Sequence, residues 1–236
     1  KKALADAVAD EDLPEALFAA VKVQSLSEDW SAALDDEVIQ TLIADADALA
    51  SSTDDLLLSQ ELLFRLRMLH DDKANRPEAY LVFDTRLEAI NRGLGLMARY
   101  SPRYLHELRR RVAERRTPDE EFPPFNEAFA KDWKEELSGI TQPMVKASLR
   151  TAATEHVSKA GWQPLLDGGL EALDLLVSTD GMEENFQFLS QPKRVEAFKD
   201  MLTTERAALM EQPARIIDRR AYNRIIANVL EKNLES

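Results

Sequence analysis

The sequence predicts an all-α fold of about ten helices, arranged as a multi-helical bundle or a short α-solenoid-like array with essentially no sheet. Three observations carry that prediction. Apolar residues recur three or four positions apart through most of the chain. Sustained apolar alternation of the strand kind is absent, and no Asn-Gly or Asp-Gly lies between two β-branched runs.

The totals narrow the class further. With 236 residues, 44% hydrophobic and 31% charged, the chain can bury a full core, which excludes disorder as a whole-chain description. It has no cysteine, so disulfides, thiolate zinc sites and cysteine nucleophiles are excluded together, and a reducing compartment (cytoplasm or an organelle interior) is expected. No apolar run is long enough to span a bilayer, so a soluble protein without membrane insertion is expected. Beginning at Lys1 rather than methionine, the sequence leaves a removed targeting leader open. The net charge is −13, and residues 1–55 carry −11 of it, with 14 Asp/Glu against Lys1, Lys2 and Lys22. The expected organisation is an acidic helical arm (1–55), an apolar hub with an arginine-rich helix (56–116) and a C-terminal helical region (117–236), folded as one unit.

Residues 1–11 show only a weak helical pattern and are expected to fray. Leu13, Leu17, Ala20 and Val21 predict a helix begun near Pro14, and Val38, Leu42, Ala46 and Leu49 another begun near Asp35, with acids at its positive end. The hub follows. Leu58, Leu62, Leu66 and Leu69 form a stripe so widened by Leu56, Leu57, Leu63, Phe64 and Met68 that other helices must cover it nearly all round. Thr53 or Asp54 caps this helix, and Glu61 supports it through Arg65. A turn over 71–77 leads to a second stripe through Tyr80, Phe83, Leu87, Ile90, Leu94 and Met97. That helix is expected to end at Arg92 with Gly93 as a left-handed cap, or else to pack closely on a neighbour at Gly93 and Gly95. Ser101-Pro102 opens the arginine-rich helix, and the stretch 117–124, proline-rich, reads as a linker.

Beyond the linker, Phe122, Phe125, Phe129, Trp133 and Leu137 fall at helical spacing and are read as core. Four Gln-Pro pairs at 142, 163, 191 and 212 then mark helix starts, since proline suits the first helical position. The pairs recur after 49 residues, near the length of a two-helix solenoid repeat, but 143–187 and 192–236 share little identity, so the pairs read as independent starters. Stripes follow them: Val145, Leu149 and Ala152; Leu166, Leu170, Leu173 and Val177; Val195, Phe198, Leu202 and Leu209; Tyr222, Ile226 and Val229.

Site chemistry is sparse. None of His70, His106 or His156 follows a glutamate at the spacing a di-iron bundle needs, and no His-Glu-x-x-His occurs. Asp180-Gly181 is no calcium loop, because Leu176 would stand at the first ligand position. Gly93-Leu-Gly95 follows a helical pattern rather than a strand, which denies it the geometry of a dinucleotide site. No metal or cofactor is therefore expected. His156, on the face of Val145 and Leu149, reads as a structural histidine.

One feature carries functional weight. Arg99, Arg103, Arg109, Arg110, Arg111, Arg115 and Arg116 lie within 18 residues, beside Tyr100 and Tyr104. Glu107 to Arg111 and Arg110 to Glu114 are spaced to pair along the helix. The cluster reads as a solvated face, as a dock for an acidic protein surface (residues 1–55 of this or another chain included), or as a binder of RNA or single-stranded nucleic acid using arginine and tyrosine together. The pI of about 4.8 opposes the last reading. The function expected is a non-enzymatic α-helical interaction or scaffold domain, alone or as a subunit of a larger assembly, that docks a protein partner through the basic helix and the acidic arm. Nucleic-acid binding by residues 99–116 is the alternative. An enzyme whose site is assembled from distant groups such as His156, Glu155 or His70 is the second alternative.

Overall fold

A computed structural model describes residues 2–10, 12–29, 32–71, 77–117, 119–130, 132–155 and 161–234. Among them lie eleven α-helices and no strand, so the all-α prediction holds. The chain forms two compact units, Lys1–Gly95 with Glu107–Phe122, and Leu96–His106 with Pro123–Ser236. His156 and most of the turn expected at 71–77 lie outside the described residues.

Aspartates set three helix starts in the first unit. Helix α1 spans Lys2–Ala9, and α2 (Leu13–Ser25) begins at Asp12, whose carboxylate accepts the Glu15 N–H at 3.0 Å. Helix α3 (Glu37–Ser52) begins at Asp36, which accepts from Val38 at 2.9 Å. Helix α4 (Leu56–Leu69) is capped by Asp55, which accepts from Leu57 and Leu58, both at 3.1 Å, rather than by Thr53 or Asp54. Thr53 instead accepts the Asp55 N–H at 3.1 Å and so holds the cap in place. Each such cap contributes about 1 kcal/mol. Three of the acids that make residues 1–55 so negative are thus explained as capping residues.

The core of this unit gathers Leu17 of α2, Ile39 and Leu42 of α3, and Leu62, Leu63, Leu66 and Leu69 of α4. Phe83 and Leu87 of α5 (Pro77–Tyr100) complete it. Burying each of the four α4 leucines is worth about 1.5–3 kcal/mol. Gln24, buried among them, donates to the Leu69 carbonyl at 2.8 Å and leaves no orphan amide there. The rest of α4 is not enclosed by helices as its composition implies. Phe64 is exposed, and Arg65 and Arg67 lay their guanidinium groups over its ring at 5.6 and 5.4 Å. Cation–π cover stands in for a helix there. Residues 2–9, expected to fray, instead place Leu4 and Ala7 in the core against α2.

Helix α5 runs unbroken through Gly93 and Gly95, which corrects the expectation of a cap at Gly93. Leu94 and Met97 are buried on either side of Gly95. Their burial outweighs the roughly 1 kcal/mol that each glycine costs a helix. Helix α6 (Pro102–Arg116) follows after the single residue Ser101, as the Ser-Pro pair predicts.

In the second unit α7 (Trp133–Leu137) and α8 (Gln142–Glu155) lead to α9 (Trp162–Ser178), α10 (Pro192–Met210) and α11 (Arg219–Leu234). Leu166, Leu170, Phe198, Leu202, Leu209, Tyr222 and Ile225 form the core. Three Gln-Pro pairs stand at the starts of α8, α9 and α10, but Gln212-Pro213 opens a 3-10 turn, Ala214–Ile216. The start of α11 belongs to Asp218, which accepts the Arg220 N–H at 2.7 Å. Gln163 donates to the carbonyls of Leu209 and Gln212 at 3.0 and 3.1 Å, tying the start of α9 to the end of α10.

The aromatic stripe read as core at 122–137 is not one helix. Asn126 and Asp132 cap separate short turns that break its register, and Phe129 is left 69% exposed and Leu137 46%. Val145 of α8 is likewise exposed, while Ala153 is buried.

At Asp180-Gly181 the backbone turns with φ +80° at Gly181, and a Cβ there would stand 2.5 Å from the Tyr104 ring. A Gly181→Ala change is expected to destabilise the protein by about 2–4 kcal/mol, from left-handed strain plus overpacking, read as a lowered denaturant midpoint by circular dichroism.

Candidate interaction surfaces

The seven arginines, Arg99 at the end of α5 and six on α6, stay ordered only if their charges find partners or water, and most of them find carboxylates. Within the first unit, Arg110 sits between Glu107 and Glu114, one turn away on either side. Glu107 thus pairs three residues on rather than with Arg111, because Arg110 bridges both acids. Arg115 pairs with Asp55 and Arg116 with Glu61. Glu61 is therefore not the partner of Arg65, whose guanidinium lies 4.6 Å over the Phe18 ring. Arg109 and Arg111 are exposed and make no ion pair among the described residues.

Within the second unit, Arg103 meets Glu127 at 2.5 Å and lies 5.2 Å over Phe125, and Arg99 reaches Glu136 at 3.4 Å. Tyr100 packs edge-on against Trp133 and Phe186 at 5.3 and 5.6 Å. Tyr104 lays its ring on Gly181. Ser101 is buried and donates to the Gly181 carbonyl at 2.5 Å, and Asn185 donates to the Tyr100 carbonyl. The nine residues singled out in the sequence thus divide between the units, with five arginines paired and both tyrosines packed against protein.

The two described histidines lie against backbone carbonyls. His70 places Nδ1 at 2.8 Å from the Leu66 carbonyl and its ring 4.9 Å from Phe83. His106 places Nε2 at 3.0 Å from the Pro123 carbonyl. Among the described residues no cluster of three His, Asp or Glu is arranged to hold a metal, and no helix is long and apolar enough to cross a membrane.

The first unit carries two adjoining depressions. An open cleft of about 880 Å³ lies between the starts of α2 and α4 and the last turns of α6. Leu57, Leu58, Val112 and Ala113 line it, together with Asp12, Glu15 and Arg109. A second groove of about 460 Å³ lies between α1, α2 and α3, walled by Val8, Leu13, Val38 and Leu42. Asp12 and Asp45 stand at its sides, and Asp12 borders both depressions. Val38 remains 49% exposed beside the buried Leu42, and Asp45 makes no ion pair among the described residues. Sequence reading placed Val38 in the core and missed Val8 and Asp45 as surface features. The signal was present in the i, i+3, i+7 spacing of Val38, Thr41 and Asp45, which puts an apolar residue on the acidic flank of α3.

No protein-family model, curated protein or solved structure matches this chain.

The cap of α4 is also an ion-pair partner, and its titration follows from that. Burial alone would raise the Asp55 pKa, but the Arg115 hydrogen bond, the Leu58 and Leu57 amides and the Arg115 charge together pull it below the usual aspartate value. A folded pKa below the unfolded one means stability that is present above about pH 4 and lost as pH falls through the folded value. Asp55→Asn keeps a capping side chain but loses the charge. Its expected cost in thermal unfolding is under about 1 kcal/mol at neutral pH. The difference from wild type should vanish in acid, well below the folded pKa of Asp55.

Proposed function

We propose that this chain is a non-enzymatic helical interaction domain that receives a basic amphipathic segment of a protein partner in the groove between α1, α2 and α3. The observation that carries the reading is that groove itself. It is an apolar slot with exposed Val8 and Val38 at its edge, flanked by aspartates, in the quarter of the chain that holds −11 of the −13 charges. Helix-in-groove recognition uses such a slot for the apolar face of the incoming segment, and the flanking charge sets orientation and encounter rate. The arginine-rich helix takes a secondary place in this reading. Arg115 and Arg116 brace α6 on α4, while Arg109, which lines the cleft with Asp12, and the exposed Arg111 remain to meet acidic groups of the same partner.

Fluorescence anisotropy with a labelled synthetic leucine/lysine amphipathic helix tests the proposal. Binding is expected to weaken about tenfold between about 50 and about 500 mM salt, as screened charge pairs would. A Val38→Glu/Asp45→Lys variant, altered at two exposed positions, is expected to lose about tenfold or more in affinity. Equal binding by the variant and the wild type would remove the groove from the account. Binding of a mixed-sequence RNA that disappears in Arg109→Glu/Arg111→Glu would move the function to nucleic acid.

A further inference from the structure

The second unit carries the chemical complement of that groove. Between α10 and α11 the 3-10 turn Ala214–Ile216 buries Ile217 and leaves Ile216 58% exposed. Arg215, Arg219 and Arg220 surround it in sequence, all exposed and without an ion pair among the described residues. The one acid in this stretch, Asp218, accepts the Arg220 N–H as it starts α11. Most of the other arginines among the described residues are not free in this way. Arg224, one turn further on, is bound to Glu205 at 2.7 Å, and Arg206 to Asp167 and Glu171 at 2.5 and 2.9 Å. A free cationic cluster around one exposed aliphatic side chain is therefore unusual within this molecule.

We infer that the segment received by the groove between α1, α2 and α3 is this turn, Arg215, Ile216, Arg219 and Arg220, of a second copy of the chain. The inference rests on the groove being a docking site. Ile216 enters the slot between Val38 and Leu13, and the arginines meet Asp12 and Asp45, to which a guanidinium fork offers two hydrogen bonds at a carboxylate. The exposed apolar start of α8, with Met144 and Val145, is a poorer candidate. Its Lys146 is held by Asn223 at 2.6 Å, which leaves Arg150 as its one outward cation. Groove and turn are different surfaces, so a single such contact leaves the pair with one groove and one turn for further copies. A contact centred on one isoleucine falls at the small, transient end of protein interfaces. Weak, salt-sensitive self-association follows.

Sedimentation velocity of the full chain tests this in three preparations. The wild type is expected to show a weight-average sedimentation coefficient that rises with concentration at about 50 mM salt and stays flat at about 500 mM. Arg219→Glu/Arg220→Glu, with its groove intact, and Val38→Glu/Asp45→Lys, with its turn intact, should each remain monomeric. Their equimolar mixture should form dimers and nothing larger, because only one compatible pair of surfaces remains. A wild type that stays monomeric throughout, self-association that survives the arginine reversal, or a mixture that fails to dimerise would overturn the inference. If the wild type stays monomeric while the synthetic leucine/lysine helix still binds the groove, the docking site stands and only the identity of its occupant is lost. If neither associates, both readings fall.

Discussion

Burial of Leu62, Leu63, Leu66 and Leu69 on α4 is the constraint from which the surface of the first unit follows. Those side chains are kept from water by α2, α3 and α5, so residues 1–55 are drawn in as packed helices with apolar inner faces. Their acids, too costly to bury alone, are confined to helix starts and outer faces. Asp12, Asp36 and Asp55 become caps, whereas Asp45 is left facing outward on α3 beside an uncovered valine. The acidic groove is a by-product of covering a leucine-rich helix with short acidic ones.

Positive charge is divided in a parallel way. On α6 most guanidinium groups are already engaged by glutamate or aspartate, so the densest basic stretch of the sequence is among the least available on the surface. Exposed ion pairs of this kind are worth little individually, and many together act mainly to fix where a helix lies. The turn before α11 has fewer arginines, but its only acid serves the backbone. Availability depends on neighbours, and neighbours are set by the fold.

Helix class, the hub stripe on α4 and α5, the Ser-Pro start of α6 and the stripes of α9 and α10 were legible in the sequence, because periodic apolar spacing is local and strong. The passage of α5 through Gly93 and Gly95 was not, since propensity opposed it and only the burial of Leu94 and Met97 decides. Phe122 to Leu137 kept helical spacing without one continuous helix, because Asn126 and Asp132 start separate short turns and periodicity alone does not register caps. Of the surfaces, the arginine cluster was visible by composition but its partners Asp55 and Glu61 were distant in sequence. The groove needed three helices to come together, and no single stretch announced it.

The contact between Tyr104 and Gly181 binds two distant positions into a single choice. Trimming the ring would remove the collision at 181 but not the positive φ there, so no alteration at 104 alone makes a side chain welcome at 181. Gly181 is thus fixed twice over, by its own φ and by the ring laid against it, and a redesign of that corner has to change the turn as well as the tyrosine.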